Sequence, residues 1–391
     1  MIKQYLLADG RKVYFSSDVN QVWVGEKPQW CEGEYYDTSL YSLRLEISHQ
    51  CNGYCKYCIV FGNQVNKFEK MDIVSVWDWL NEQEWFSKIT DMFLIGGEPL
   101  LFFEEIKYIR ERFCGDISLS TNGTLITDEM AKYFKEKNIF IYISLDGLYR
   151  ENNVDRIYRD GTYMYDDIIQ GLQTLERYGV AKGIFMVATH NNISDIEFTM
   201  EKLSKKYDIC KFGYSIPHWT LNEGNIVSPE EYRDALIRIY HNRMNINAKI
   251  MQLNWRIGPI IDRKIKRFSC ALHTVQTTLL PDKSIVRCSK MDGDPNLSKI
   301  KNDDLTAGCP MNRAQDSNNK CSKCIALASC GGGCPYDGLR RFDSVIDQRE
   351  CVITPAVIDI VLSELCKYFN KEGVENGMVN SETLLRLLDL K

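Results

Sequence analysis

The sequence lacks the features that would direct it to a membrane, to secretion or to nucleic acid. Among its 391 residues, no apolar run approaches the roughly 18 residues that span a bilayer. The first twenty residues alternate polar and apolar positions instead of forming the basic and apolar regions of a signal peptide. Positive charge is not in excess, since the net charge is −5 and the pI about 5.7, and the basic stripe typical of nucleic-acid binders is missing. We therefore expect a cytoplasmic protein with neither a membrane nor a nucleic acid as partner.

Cysteine, in contrast, is abundant and clustered. The chain has fifteen cysteines, of which nine follow residue 269 and three lie in "HQCNGYCKYC" at Cys51, Cys55 and Cys58. Because cytoplasmic thiols are kept reduced, such clusters indicate metal or redox chemistry rather than disulfides.

Short β-rich runs alternate with amphipathic stretches through the middle of the chain. The predicted strands lie at 43–48, 92–96, 117–120, 139–145, 183–189 and 211–216. The predicted helices lie at 71–88, 102–113, 127–137, 165–178, 193–207 and 228–244. This alternation predicts βαβ units and a parallel sheet. Six units, with no seventh or eighth, favour an α/β fold of the partial (β/α)6 TIM-like type over a closed barrel.

Changes in this pattern divide the chain into four segments. Residues 1–40 form a short β-rich segment, and residues 41–245 form the partial barrel. Residues 246–354 are a linker and a cysteine-rich domain that metal would help to fold. Residues 355–391 hold two C-terminal helices, predicted at 355–369 and 380–390.

The three-cysteine loop directly follows the first barrel strand. The carboxyl ends of barrel strands carry the active sites of such folds, and thiolates are ligands for iron–sulfur clusters or zinc. The CxxxCxxC spacing fits a closed tetrahedral zinc site poorly. Three ligands on a four-iron cluster would instead leave one iron open to a substrate or cofactor.

This loop resembles that of the radical S-adenosylmethionine (SAM) enzymes, CxxxCxΦC, with Tyr57 at the aromatic position Φ. The resemblance implies a [4Fe–4S] cluster on Cys51, Cys55 and Cys58, whose open iron binds SAM and whose electron cleaves it to methionine and a 5′-deoxyadenosyl radical. It also implies a reducing partner such as flavodoxin or ferredoxin.

Other strand ends resemble the same family. The resemblance assigns Gly96, Gly97 and Glu98 of "IGGEP" to the methionine ammonium of SAM. Taken alone, this motif is an ordinary turn.

Three more motifs stand in the family's order. "STNGT" contributes Asn122, "ISLDG" contributes Ser144 near the methionine carboxylate or the ribose, and "NNVDRIYRDG" contributes Arg156, which would pair with the carboxylate. An arginine fork suits a carboxylate, although each motif could equally be turn chemistry or a solvated charge.

The later cysteines resemble the SPASM extension of radical enzymes that act on peptides and proteins. That resemblance implies two auxiliary [4Fe–4S] clusters, and thus three clusters in all. The first would be held by Cys270, Cys288 and Cys334, with Cys309 or an open iron in fourth place. The second would be held by Cys321, Cys324, Cys330 and Cys351. Zinc remains an alternative because Cx2C pairs also bind zinc.

Some residues depart from this pattern or stand outside it. Lys283 occupies a position where the SPASM family usually has glycine. His218 and Trp219, beyond the last predicted strand, are expected to pack at the barrel mouth or to face a peptide. The isolated cysteines are expected to be ordinary small apolar residues, namely Cys31, Cys114, Cys210 and Cys366.

The resemblance implies a maturase that oxidatively modifies a ribosomally made peptide, forming a thioether, C–C or C–O link. An anaerobic sulfatase-type maturase is an alternative, but that type has an aspartate directly after the second extension cysteine, where this chain has Ser289. A peptide epimerase and a non-catalytic iron–sulfur scaffold are further alternatives. The segment before the barrel is shorter than the leader-binding domain of many maturases, so a separate leader-binding protein is a possible partner.

Overall fold

The computed structural model describes residues 1–37, 39–59, 70–220, 225–269, 275–288, 290, 310–315 and 317–388. The strands, in chain order, are β1 (Ile2–Leu6), β2 (Lys12–Ser16), β3 (Gln21–Val24), β4 (Glu34–Tyr35), β5 (Ser42–Glu46), β6 (Asp91–Ile95), β7 (Asp116–Thr121), β8 (Ile139–Ser144), β9 (Lys182–Val187), β10 (Ile209–Ser215), β11 (Lys249–Ile250), β12 (Lys264–Ile265), β13 (Gln276–Leu279), β14 (Ile285–Val286) and β15 (Gly377–Met378). The α-helices are α1 (Ile73–Asn81), α2 (Phe103–Arg112), α3 (Asp128–Glu136), α4 (Tyr165–Arg177), α5 (Ile196–Lys206), α6 (Pro229–Asn242), α7 (Met251–Asp262), α8 (Pro310–Arg313), α9 (Leu327–Cys330), α10 (Pro335–Phe342), α11 (Glu350–Glu372) and α12 (Ser381–Leu388). Short 3-10 helices lie at Glu84–Lys88, Pro99–Phe102, Arg150–Asn153, Arg243–Asn245 and Lys320–Lys323.

A large, mostly parallel sheet organises the chain, with strand order β11-β10-β9-β8-β7-β6-β5-β13-β14. Strands β5 to β10 are the six predicted strands, and each is parallel to the next. The predicted α/β class is therefore confirmed. The sheet is longer than predicted, because β11 pairs parallel to β10 and β13 pairs parallel to β5. These additions come from residues after 245, so the sheet does not end at the predicted segment boundary.

Aromatic contacts show that this sheet is curved. The ring of Phe93 on β6 lies 6.5 Å from that of Phe185 on β9, three strands away. Tyr142 on β8 stacks on Phe185 at 4.2 Å. Side chains on strands so far apart can meet only on a concave face, which is the interior of a partial barrel. Residues of the opposite face, such as Leu45 and Leu94, are fully buried beneath the helices.

The barrel helices begin at local sequence signals that follow each strand. The Thr127 side chain accepts a hydrogen bond from the N–H of Met130 at the start of α3, and Ser228 and Glu231 form a capping box ahead of α6. Such caps satisfy amide groups that the first turn of a helix leaves unpaired. Because the caps fix where each helix starts, they also fix the length of each loop at the sheet edge.

The ends of the chain pack together beside the barrel. β15 pairs antiparallel with β3, which completes a sheet of order β1-β2-β3-β15. Helix α11 begins at Glu350, so the predicted boundary at 354/355 falls inside a helix. The helix contains Pro355, which cannot donate a helical hydrogen bond, and burial of one side of the helix outweighs that loss. Within the described ranges, no helix combines the length and apolar character that crossing a bilayer requires.

Close packing between α4 and the loop after β7 gives a test of this architecture. A Cβ at Gly171 would lie 2.1 Å from the carbonyl oxygen of Gly123, whereas a Cβ at Gly258 in α7 would have no neighbour within 4 Å. We expect Gly171→Ala to lower the free energy of unfolding by about 1–3 kcal/mol, the usual cost of overpacking. Gly258→Ala, the matched control, should change it by less than about 1 kcal/mol. Urea titration followed by circular dichroism measures both, and equal effects would contradict the described packing.

Candidate functional site

The cysteine loop is fixed by backbone hydrogen bonds from two sides. On one side, the N–H groups of Gly97 and Glu98 donate to the carbonyls of Ser48 and Gln50, both at 2.8 Å. On the other, the N–H groups of Tyr54 and Lys56 donate to the carbonyls of residues 157 and 155, at 2.7 and 3.0 Å. The loop is thus held between the motif that follows β6 and the segment around residue 156. The parallel sheet brings these pieces to one edge, as predicted.

The three thiols of the loop lie near one another and are half-buried. Burial raises the pKa of Cys51 to about 12, and the nearby charges of Glu98, Cys55 and Cys58 add to the effect. Burial likewise raises the pKa of Cys55 to about 11, with Arg156 opposing the rise and Cys58 adding to it. Thiolates are metal ligands and thiols are not, so these groups would need a bound cation to replace their protons at neutral pH.

Gly96 and Gly97 lie where no side chain could fit. A Cβ at Gly96 would lie 2.3 Å from the carbonyl oxygen of Ser48, and a Cβ at Gly97 would lie 2.2 Å from that of Gln50. The motif that follows β6 therefore contacts the start of the cysteine loop through backbone alone. Any larger residue would push these two segments apart.

Glu98 is a buried carboxyl at this junction. It accepts hydrogen bonds from the Thr121 hydroxyl and from the N–H groups of Leu100 and Asn122, at 2.7 to 3.0 Å. Burial raises its pKa to about 7, and these three donors oppose the rise. The Asn122 side chain in turn donates to Asn52 Oδ1 at 2.8 Å and lies 4.0 Å from Cys51 Sγ. "IGGEP" and "STNGT" therefore form one network around Cys51.

Arg156 lies deep in the site, paired with a residue that the sequence reasoning did not single out. Asp146, the aspartate of "ISLDG", accepts hydrogen bonds from Arg156 and from the N–H of Val187, both at 2.9 Å. The Tyr57 hydroxyl also donates to Asp146, and the guanidinium of Arg156 lies over the Tyr57 ring. Burial alone would lower the pKa of Arg156, but the charge of Asp146 raises it above its ordinary value. The Nε atom of Arg156 is buried and has no hydrogen-bond partner among the described residues.

Three further residues lie at this edge of the sheet, namely Ser144, Glu46 and His49. Ser144 is the last residue of β8 and is half-buried. Glu46 and His49, which the sequence reasoning did not consider, form a buried pair with 2.9 Å between Glu46 Oε2 and His49 Nε2. These two residues could have been recognised from the sequence, because they lie at the end of a predicted strand and just before Cys51.

Four cysteines of the extension line one cavity of about 670 Å³, namely Cys321, Cys324, Cys330 and Cys351. They belong to separate elements: the 3-10 helix at 320–323 and its end, α9, and the first turn of α11. Burial raises the pKa of Cys330, and the charges of Cys324 and Cys351 add to that rise. Burial also raises the pKa of Cys351, with Cys321 adding to it. The structure therefore gathers the four thiols predicted to act together.

Cys334 does not line that cavity and has different neighbours. Ligand atoms of His218, Cys334 and Asp337 all lie within 4.8 Å of one another. Burial alone would raise the pKa of Asp337, but the charges of His218 and Arg349 hold it well below its ordinary value. Burial lowers the pKa of His218, and the charge of Lys290 acts in the same direction.

Two further residues of the extension, Cys288 and Lys283, lie at the β13–β14 hairpin. Cys288 is buried after the β13–β14 hairpin. Lys283 adopts the left-handed conformation, with φ of 67°, in the turn of that hairpin, so a glycine-like geometry is kept at a steric cost of about 1–2 kcal/mol. The predicted ligands Cys270 and Cys309 lie outside the described residues, as does Ser289.

The isolated cysteines differ in burial. Cys366 packs in the core of α11, as expected of a small apolar residue. Cys31, Cys114 and Cys210 are exposed instead.

Comparison with known proteins agrees with this geometry. Residues 45–203 match the family model of the radical SAM superfamily, and this range contains the cysteine loop and the motifs after β6, β7 and β8. The barrel therefore resembles a radical SAM domain over this range. A cysteine-type anaerobic sulfatase-maturating enzyme of Clostridium novyi is 30% identical over 187 residues, which cover 44% of this chain and 49% of that protein. This chain spans about half the length of the first curated relatives it matches.

Solved structures extend the radical SAM similarity into the cysteine-rich region. A structure described as native anSMEcpe with bound AdoMet and Cp18Cys peptide has a TM-score of 0.63 at 20% identity, covering 85% of this chain and 99% of that one. Streptococcus suis SuiB bound to precursor peptide SuiA has a TM-score of 0.57 at 18% identity, covering 81% and 76%. The fold is thus an α/β fold with a parallel sheet of the partial TIM-barrel type and a cysteine-rich C-terminal region, as predicted.

A [4Fe–4S] cluster and SAM are typical of radical SAM enzymes, and the residues at this site fit both. The three half-buried thiols form a donor set for iron. The buried carboxyl of Glu98 and the spare Nε of Arg156 offer polar contacts to an amino acid moiety.

The buried pair at the radical SAM site gives a second test. We expect Asp146→Asn to lower the free energy of unfolding by about 3–5 kcal/mol, because it leaves the buried Arg156 charge uncompensated. Asp128 provides the control, since its ion pair with Arg177 is exposed, with 63% and 61% of the two side chains accessible. Asp128→Asn should cost less than about 1 kcal/mol. Urea unfolding of all three proteins in the same metal-loading state measures the difference, and similar costs would show that Asp146 does not compensate Arg156.

Proposed function

We propose that this protein is a radical SAM peptide maturase that abstracts hydrogen from a residue of a ribosomally made peptide and thereby installs an oxidative link, such as a thioether, C–C or C–O bond. The observation that carries this proposal is the pairing of two cysteine sites in one chain: the three-thiol loop of the barrel and the four-thiol cavity of the extension. The structures that share this whole architecture, anSMEcpe and SuiB, are described with bound peptides.

In the barrel, Cys51, Cys55 and Cys58 would hold the radical-generating cluster. Gly96, Gly97 and Glu98 would receive the SAM ammonium, and Arg156 and Ser144 its carboxylate or ribose. Asn122 would keep the Cys51 thiolate in position through its contact with Cys51 Sγ. The cluster and SAM supply a 5′-deoxyadenosyl radical when bound, and the protein's own task is to exclude water and to orient the substrate C–H bond.

The extension would supply two auxiliary clusters. Cys321, Cys324, Cys330 and Cys351 would hold one, and Cys334, Cys288 and Cys270 the other. A cross-link removes two hydrogens from the peptide: one would leave as a hydrogen atom to the 5′-deoxyadenosyl radical, which gives 5′-deoxyadenosine, and the other as a proton and an electron. An auxiliary cluster would take that electron, and flavodoxin or ferredoxin would reduce the barrel site. A separate leader-binding protein would deliver the peptide.

A sulfatase-type maturase is the second candidate, favoured by the similarity to the Clostridium novyi enzyme. It ranks lower because Ser289 stands where that type has an aspartate. The mass of the modified peptide separates a cross-link from epimerisation and from formylglycine formed at cysteine, and fragmentation of the peptide separates it from formylglycine formed at serine, which also loses two hydrogens. A cross-link loses two hydrogens and keeps sulfur, formylglycine formation from cysteine loses the sulfur, and epimerisation in D2O adds one deuterium.

The radical-generating role can be tested without knowledge of the peptide. Anaerobically reconstituted, reduced wild-type protein with SAM should form 5′-deoxyadenosine. We expect Cys55→Ala to abolish this product and to lower the iron content by about four atoms per chain. The exposed Cys114→Ala is the matched control and should change neither quantity. Undiminished 5′-deoxyadenosine from Cys55→Ala would overturn the role of the loop, whereas wild-type protein that forms no 5′-deoxyadenosine would favour a non-catalytic scaffold.

The pKa of Glu98 gives a pH prediction. Below pH 7 the carboxyl is mostly protonated and cannot attract the SAM ammonium, whereas above pH 7 it is charged. We therefore expect the wild-type protein to bind SAM more tightly than Glu98→Gln, by a factor that increases between pH 6 and pH 8. Below the pKa of Glu98, this ratio of affinities should rise by up to about tenfold per pH unit. Equilibrium dialysis of the cluster-loaded proteins measures this ratio. Glu104→Gln, at an exposed site on α2, should give a flat ratio, and a flat ratio for Glu98→Gln would exclude direct pairing.

A further inference from the structure

A group of three ligand-bearing side chains joins the barrel to the extension. His218 follows β10 at the carboxyl edge of the sheet, Cys334 is the residue before α10, and Asp337 lies in the first turn of α10. Their ligand atoms lie within 4.8 Å of one another. This group is separate from both the three-thiol loop and the four-thiol cavity.

Asp337 is occupied by other partners and therefore cannot readily bind a metal. Its Oδ1 accepts a hydrogen bond from the N–H of Trp219 at 2.6 Å. Its Oδ2 accepts from Nδ1 of His218 and lies 2.9 Å from the guanidinium of Arg349. The side chain is fully buried. Both oxygens are thus used in holding His218, Trp219 and Arg349.

This arrangement fixes the chemistry of the His218 ring. A carboxylate paired with an arginine accepts hydrogen bonds and donates none, so the proton of a neutral His218 lies on Nδ1. The lone pair is then on Nε2, at the far side of the ring. A histidine whose other nitrogen donates to a carboxylate is the usual arrangement at protein metal sites, because the carboxylate orients the ring and increases its basicity.

We propose that Nε2 of His218 is an iron ligand of the auxiliary cluster that takes Cys334. The inference rests on the proposed function for the existence of that cluster. Cys334 lies beside His218 and does not line the cavity that gathers Cys321, Cys324, Cys330 and Cys351. The cysteines assigned to its cluster by the resemblance, Cys270, Cys288 and Cys334, leave one iron without a protein ligand. Asp337 acts as the positioning residue for the imidazole, and Arg349 holds Asp337.

A histidine ligand has a functional consequence. An imidazole is neutral where a thiolate is negative, and replacing thiolate by imidazole raises the reduction potential of an iron–sulfur cluster. A cluster with a higher potential more readily accepts the electron that leaves the peptide radical, while the substrate loses the matching proton. His218 also places this cluster at the mouth of the barrel, because the residue belongs to the loop after β10.

Pulsed electron paramagnetic resonance can detect the ligand directly. The full-length protein with Cys51, Cys55 and Cys58 all changed to Ala, loaded with iron and sulfide and reduced, retains only the auxiliary clusters. We expect a strong nitrogen coupling that changes when histidine is labelled with 15N. His218→Ala should abolish this coupling, and the exposed control His190→Ala should keep it. His218→Cys should retain the iron, lose the nitrogen coupling and shift the cluster to a lower potential.

The possible failures are distinguishable. A wild-type cluster without histidine coupling, or a coupling that persists in His218→Ala, would overturn the role of His218 and leave the maturase proposal intact. Should Cys334→Ala remove no iron, the cluster assignment itself would be wrong, and the proposed three-cluster enzyme with it. If His218→Ala fails to fold or load, the His218→Cys variant decides, because retained iron without the nitrogen coupling supports the ligand assignment.

Discussion

A concentration of buried acidic groups at one sheet edge is the constraint on which this structure depends. Glu98 and Asp146 are buried, Cys51 and Cys55 are half-buried near them, and Arg156 is paired with Asp146. Burial raises the pKa values of Cys51, Cys55 and Glu98, so these three groups remain protonated or destabilise the fold unless further positive charge is supplied. Cluster iron and the cationic SAM would supply it. Burial of these acidic groups lowers the stability of the fold when the site is empty. The same burial strengthens the binding of positively charged iron and SAM.

The parallel sheet makes this concentration possible, because it brings loops from distant parts of the chain to one edge. The cysteine loop, the glycine motif after β6 and Asn122 after β7 meet through backbone and amide contacts rather than through flexible side chains. The extension also brings separate parts of the chain together at one site. Its four-thiol cavity draws on the 3-10 helix at Lys320–Lys323, on α9 and on the first turn of α11, and bound metal would add to the folding energy of this region.

Local pattern was enough to predict the six barrel strands, their helices and the cysteine loop at the sheet edge, because strand ends and helix caps are encoded by nearby residues. Contacts between distant residues were not predictable in this way. Asp146 was read as part of a turn, yet it binds Arg156 and the backbone of β9. The pairing of His218 with Asp337 joins residues 119 positions apart, and no local signal marks it. Helix α11 begins at Glu350 rather than at 355, and its first turns are stabilised by burial of Ile353 and Thr354, which is a tertiary effect.

The central claim is that three cysteines leave one iron open and that the amino acid moiety of SAM occupies it. The most direct measurement is electron–nuclear double resonance of the reduced, cluster-loaded protein with SAM carrying 15N at its amino group or 13C at its carboxyl group. The account predicts hyperfine coupling of both labels to the barrel cluster, and loss of both couplings when Cys51, Cys55 and Cys58 are replaced. Bound SAM without coupling from either label would contradict it.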